Sequence, residues 1–150
     1  WPMAKKTNAN RRGGRTPLPP PPPPTAVIVS RYNPSVTGRM LEGARAEYEA
    51  RGGKAGALAV YHAPGAYELP ALALAAAESG RFGAVVALGC VSRGETRHDR
   101  YISDAVANGL MNAALATGVP CAFGVLTVDT ARQARDRAGG KKGNKGAEAM

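Results

Sequence analysis

The chain has 150 residues, 44% of them hydrophobic, and no apolar run near the roughly 20 residues that a membrane-spanning helix requires. Two cysteines exclude a disulfide framework, and with two histidines at scattered positions they carry no zinc-binding spacing. The net charge of +9 raises the prospect of a nucleic-acid partner, but residues 1–24 hold five Lys or Arg and no acid, while residues 25–150 hold fifteen against eleven acids. More than half of the excess therefore sits in the first 24 residues, and nucleic acid is not an expected partner. A chain of this length is expected to form one water-soluble domain.

Residues 1–24 are basic, then glycine-rich, and end in a proline run from Pro19 to Pro24 with almost nothing to bury. This composition predicts a disordered arm closing in a polyproline II spacer. It lacks the apolar core of a secretory signal, so a cytoplasmic protein is expected, with residues 25–150 as the folded domain. Ala26-Val-Ile-Val-Ser30 has the length and branching of a buried strand, and Arg31-Tyr32-Asn33-Pro34 is its polar exit turn. A helix should run from Val36 to Arg51, with Met40, Leu41, Ala44 and Tyr48 inward and Gly52-Gly53 as its stop. Ala57 to Tyr61 reads as a second strand, closed by His62-Ala63-Pro64-Gly65. The segment Ala66-Tyr67-Glu68 then leads into a second helix, with Pro70 in its first turn and Gly80 at its end.

Phe82 to Val91 is a valine-rich apolar run of strand length, which predicts a central parallel strand buried on both faces. Gly94 permits a sharp turn after it. Thr96-Arg97-His98-Asp99 has the form of a capping box in which Asp99 stands in for the usual Glu or Gln. The helix that follows has an inner face at Ile102, Ala105, Val106, Gly109, Leu110, Ala113 and Ala114. His98, four residues before Ile102, is placed at the buried edge of its first turn. A helix N-terminus exposes unpaired N–H groups and the positive end of the backbone dipole, so Gly94-Glu95-Thr96 is a natural phosphate seat. The His98 imidazole one turn away suits proton transfer near neutral pH. By themselves these features discriminate little, because many parallel strands end in a glycine turn and a lone histidine is more often structural.

Val119 to Leu126 is a fourth strand ending at Thr127-Val128-Asp129-Thr130, followed by a short helix from Thr130 to Ala138 and the start of a last one over Gly146 to Met150. Cys90 and Cys121 fall towards opposite ends of a parallel sheet and are expected as buried, reduced thiols. Four strand–helix alternations predict a four-stranded parallel sheet with helices on both faces and right-handed crossovers. Ligands in such sheets gather at the carboxyl ends of the strands. The four exit turns carry Tyr32-Asn33, Gly65 to Glu68, Val91 to His98, and Thr127 to Asp129.

With these turns in view the sequence resembles the lumazine synthase family, the penultimate enzymes of riboflavin synthesis, over residues 26–150. The resemblance rests on Arg-Tyr-Asn at 31–33, Pro-Gly-Ala-Tyr-Glu-Leu-Pro at 64–70 and Ala-Leu-Gly-Cys-Val-x-Arg-Gly-Glu-Thr-x-His at 87–98. It continues with Gly-Val-Pro-Cys-Ala-Phe-Gly-Val-Leu-Thr at 118–127 and Arg-Ala-Gly-Gly-Lys-Lys-Gly-Asn-Lys-Gly at 137–146. Any one of these motifs is weak; five in order are specific. The resemblance implies a flavodoxin-like three-layer α/β sandwich. It also implies condensation of 5-amino-6-ribitylaminouracil with 3,4-dihydroxy-2-butanone 4-phosphate, with release of water and phosphate and with no metal or redox cofactor.

Carried over by position, the resemblance makes Tyr32 the aromatic that stacks on the pyrimidine and Asn33 a ribityl contact. It makes Gly65, Ala66 and Glu68 the turn that binds the ribityl chain, and Val91 and Ser92 the segment whose main chain reads the pyrimidine. Gly94, Glu95 and Thr96 become the phosphate turn, Arg137 the guanidinium on the same phosphate, and His98 the proton carrier. Phe123 and Lys145 match residues that reach the site from a neighbouring subunit or cover the ring. Without the resemblance, Tyr32 would read as a surface turn residue and Arg137, Lys141, Lys142 and Lys145 as a solvated basic end. The sequence departs from the family pattern at Tyr32, where Phe or Trp is usual, and at Ser92, where Ile is common. Asp99 and Arg100 stand where an aromatic and an acid are frequent, and the family's last helix normally continues beyond the position of Met150. A homo-pentamer is implied, with the 139–144 link of the type found in pentamer-based icosahedral shells. One rival reading is a non-catalytic shell or carrier of the same fold whose basic arm binds anionic cargo. A generic nucleotide or flavin binder is disfavoured, because the glycine turn comes with Arg137 and His98.

Overall fold

The computed structural model describes residues 19–150; the arm expected over residues 1–24 lies, as far as residue 18, outside the described residues. Strands β1 (Thr25–Ser30), β2 (Leu58–Ala63), β3 (Ala84–Ser92) and β4 (Cys121–Val128) form one parallel sheet in the order β2-β1-β3-β4. Helices α1 (Pro34–Ala50), α2 (Leu69–Glu78) and α3 (His98–Thr117) are the crossovers. β1 and β3 are central, and every residue of β1 and Val85 to Val91 of β3 is buried, as an unbroken apolar run requires. The apolar side chains divide between the two faces. Ala26, Ile28, Val85 and Ala87 pack under α2 and α3 with Leu69, Ala73, Val106 and Leu110. Val27, Val29, Val86 and Leu88 pack under α1 with Met40 and Ala44, together with Ala134 and Ala138. This is the α/β three-layer sandwich of the flavodoxin-like kind.

The connections leave the centre in opposite directions, β1 to β2 on one side and β3 to β4 on the other, so a crevice opens at the carboxyl ends of β1 and β3. The floor at the opposite end is closed by the proline run. Pro23 carbonyl accepts from Thr25 Oγ1 at 2.8 Å and from Tyr48 OH at 3.0 Å, and Pro24 carbonyl accepts from Gly83 N at 2.8 Å.

Two local expectations are corrected. The Thr96 capping box does not form: α3 begins at His98 with Arg97 as its cap and no side-chain cap bond, because the turn continues one residue further before the backbone becomes helical. His98 is exposed rather than buried, since its turn stands on the rim of the crevice. The glycine-rich link over 139–144 contains structure of its own. After α4 (Ala131–Arg137), β5 (Ala138–Gly140) and β6 (Gly143–Asn144) make a short antiparallel hairpin that delivers the chain to α5 (Lys145–Ala149).

That last helix is held by close backbone contact. Asn144 Oδ1 accepts from Gly146 N and Ala147 N, and Asn144 Nδ2 donates to Arg39 carbonyl at 2.9 Å. A methyl group at Gly146 would overlap the Met40 carbonyl, so α5 lies on α1 only because this position has no side chain. Gly146→Ala should cost about 1–3 kcal/mol, the usual range for overpacking. Gly38→Ala on the same helix α1, where nothing lies within 4 Å of the added carbon, should stabilise by up to about 1 kcal/mol through helix propensity. Urea midpoints for the two variants should move in opposite directions.

Candidate active site

At the exit of β1, Arg31 N donates to Ala63 carbonyl at 2.9 Å, and Ser30 Oγ accepts from Tyr32 N at 3.2 Å. Asn33 follows in the left-handed conformation, at φ 56 and ψ 54, which a short polar side chain tolerates better than most. Its carbonyl accepts from Val36 N at 2.9 Å and Thr37 N at 3.1 Å, starting α1. Its Nδ2 donates to Cys90 carbonyl at 2.8 Å, linking the exits of β1 and β3. Between these anchors the Tyr32 ring is left 71% exposed.

The β2–α2 turn is closed on itself. Glu68 Oε2 accepts from Gly65 N at 2.9 Å and Ala66 carbonyl accepts from Leu69 N at 3.1 Å, while Ala66 itself is buried. One carboxylate oxygen of Glu68 is thus committed to the turn and the other is left for a ligand. At the exit of β3, Val91 is buried, Ser92 is exposed, and the turn over residues 93–97 stands at the N-terminus of α3.

These segments enclose one cleft of about 1000 Å³, lined by Tyr32, Asn33, Gly65, Ala66, Glu68, Val91, Ser92, Gly94, Thr96 and His98. Ten residues expected from the sequence therefore converge. Glu95, Phe123, Arg137 and Lys145 do not line the cleft. Phe123 stands on the edge strand β4 with its side chain 40% exposed. Arg137 ends α4, its Nη1 donating to Gln133 carbonyl at 3.2 Å, and Lys145 begins α5, 3.4 Å from Glu148. Both helices belong to the layer on the far face of the sheet, where Ala134 and Ala149 pack with Leu88.

Five further residues line the cleft that the sequence does not mark as site residues: Tyr67, Cys90, Asp99, Tyr101 and Ile102. The spacing could have found two of them, because Tyr101 and Ile102 follow His98 by three and four residues and share its side of α3. The lining contains two acids, Glu68 and Asp99, and no Lys or Arg. Among the described residues, no three His, Cys, Asp or Glu side chains gather as a metal site would need.

A family model described as 6,7-dimethyl-8-ribityllumazine synthase matches residues 24–150. The chain belongs to that family. It is 50% identical over 124 residues to a 6,7-dimethyl-8-ribityllumazine synthase of Deinococcus deserti, covering 83% of this chain and 80% of the relative. A synthase of the same name from Syntrophus aciditrophicus is 50% identical over 123 residues, 82% of this chain and 80% of that one. Another, from Thermus thermophilus, is 49% identical over 125 residues, covering 83% and 80% respectively. Membership gives the five motifs a common origin and makes the cleft, where three of them meet, the family's candidate site in this chain.

Burial pushes the Cys90 thiol above its ordinary pKa, partly offset by a hydrogen bond with Ser92, and burial likewise raises Cys121. Cys90 in the cleft wall is therefore a protonated, shielded thiol rather than a nucleophile. The sign for stability follows: a group whose folded pKa is raised supports the native state below its unfolded pKa and loses that support as pH rises through the folded value. The denaturation midpoint should fall as pH rises above about 8.5, the ordinary thiol value, and Cys90→Ala should flatten part of that slope. In the native protein iodoacetamide should label Cys121 before Cys90.

Proposed function

We propose that this cleft is where the chain, a transferase of the lumazine synthase family, condenses 5-amino-6-ribitylaminouracil with 3,4-dihydroxy-2-butanone 4-phosphate. The uracil amine adds to the ketone and water is lost to give an imine. Phosphate then leaves, and ring closure expels a second water to give 6,7-dimethyl-8-ribityllumazine. The observation that carries the reading is the convergence of three separate motifs, from the exits of β1, β2 and β3, on one cleft large enough for both substrates.

Tyr32 offers an exposed aromatic face for the pyrimidine, and its hydroxyl remains in contact with solvent or ligand. Asn33 keeps its Oδ1 for a ribityl hydroxyl while Nδ2 holds Cys90 carbonyl. Glu68 and the main chain of Gly65 and Ala66 suit the rest of that polyol, and the backbone of Val91 and Ser92 the pyrimidine edge. The N–H groups of the turn at Gly94 to Thr96, just before the start of α3, suit the phosphate. His98 beside them is placed to take the proton from the attacking amine and return it to the departing oxygen.

A phosphate dianion in this cleft meets Glu68 and Asp99 and no cation of the same chain's lining. The charge balance therefore calls for a cation brought from outside, and Arg137 and Lys145, exposed or half-buried on the other face, suit that task. Phe123 on the open edge of β4 suits the same arrangement. We infer that the active unit is an oligomer, a pentamer by the family resemblance, in which Phe123, Arg137 and Lys145 of one subunit complete the cleft of the next. The expectation of a cytoplasmic location accords with this reading, and the expected arm is taken to end before Pro23, whose carbonyl is bonded to the domain.

Purified protein given both substrates should form the fluorescent lumazine faster than the background condensation; equal rates would remove the proposal. Arg137→Ala should act mainly by raising KM for the butanone phosphate, leaving the uracil KM little changed. His98→Ala should be milder, at or below the low end of the 10² to 10⁴ range of about what acid–base help supplies, because an amine and a ketone condense without an enzyme. It should also flatten the pH dependence near neutrality. A monomeric mass by light scattering under assay conditions would overturn the shared site.

A further inference from the structure

The turn over residues 93–97 has few attachments of its own. Among the described residues, no side-chain hydrogen bond or ion pair involves Gly94, Glu95, Thr96 or Arg97, and α3 starts without a side-chain cap. Nothing lies within 4 Å of the space above Gly94. A phosphate seat made of backbone N–H groups works only if those groups already point at the ligand, so this turn needs an anchor.

The anchor lies at its entrance. Arg93 N donates to Val128 carbonyl at 2.8 Å, extending the β3–β4 ladder one residue past the last pair, Ser92 with Val128. The Arg93 side chain does not line the cleft; its Nη1 lies 3.6 Å from Asp129 Oδ1. Asp129 is itself held at the start of α4. Gln133 Oε1 accepts from Asp129 N at 2.8 Å, and Thr130 Oγ1 accepts from Gln133 N at 3.2 Å, a reciprocal cap. A carboxylate on a rigid helix start thus faces a guanidinium on the residue before Gly94. The pair is largely exposed, at 70% and 64%, and such pairs add little to overall stability. Its position, rather than its energy, distinguishes it.

We propose that Arg93 and Asp129 are positioning residues that hold the Gly94 to Thr96 turn in shape for the phosphate of the butanone substrate. This rests on the phosphate assignment above and adds residues that touch no substrate. Neutral Arg93→Gln and Asp129→Asn should each raise KM for the butanone phosphate about five-fold, the upper range for an exposed ion pair. They should leave kcat, the uracil KM and Tm unchanged. Inorganic phosphate, used as a competitive inhibitor, should weaken by the same factor. The double variant should be no worse than either single one, and Asp129→Glu should stay near wild type. Unchanged phosphate inhibition in both single variants would sink the pair. Tighter phosphate binding by Asp129→Asn would also sink it, since Asp129 would then be withholding Arg93 from the anion. If phosphate fails to inhibit the unaltered enzyme, the phosphate assignment is wrong instead, and the two failures are separable.

Discussion

The hydrogen bond from Asn33 Nδ2 to Cys90 carbonyl is the contact on which the cleft depends. β1 and β3 pair only as far as Val29 with Leu88, whereas β3 continues beside β4 to Ser92. Past Val29 the two central strands part, because their chains turn to opposite sides of the sheet. The Asn33 side chain spans that opening, and the same residue's carbonyl starts α1. Its net worth is about 1 kcal/mol, typical for one such bond, a small part of the fold's total. Its effect on geometry is larger, since it sets where Tyr32 stands relative to Val91 and Ser92.

Charge divides the molecule differently from shape. The cleft gathers two carboxylates and an imidazole, while Arg137 and Lys145 lie in the layer across the sheet. The placement of Lys145 depends on α5, which is seated on α1 by the bare backbone of Gly146 and the amide of Asn144. The glycine next to Lys145 thus governs where that cation is presented. An anionic substrate bound between subunits would meet the acids of one surface and the bases of the other, which balances what neither surface balances alone.

Most of the fold was legible in the sequence because each strand and each long helix repeats its own period. Met40, Ala44 and Tyr48 recur on the turn of a helix and are wholly buried. Ala26 to Val29 make a run too short for a helix and too apolar for a surface. The hairpin at 138–144 was not legible, because two glycines, two lysines and a glycine carry neither period, and it packs against both α1 and α4. The capping box failed for a related reason. A cap residue is defined by the backbone angle at which a turn becomes a helix, and here that residue is Arg97, although Thr96 is the residue type that favours a cap.

The site was legible in part. The family resemblance named Tyr32, Asn33, Gly65, Ala66, Glu68, Val91, Ser92, Gly94, Thr96 and His98, and they converge because a parallel sheet brings the ends of successive strands to one edge. The sequence by itself determined the layers, the strand directions and the chemistry available at each exit turn, since these follow from local periodicity and residue type. Only the tertiary structure decided that Tyr67 and Cys90 join the cleft, that His98 stands exposed, and that Phe123, Arg137 and Lys145 stand outside it. The last two of those facts depend on which faces of α3, α4 and α5 meet the sheet. That is set by contacts between residues as far apart in the chain as Arg39 and Asn144, which no local pattern records.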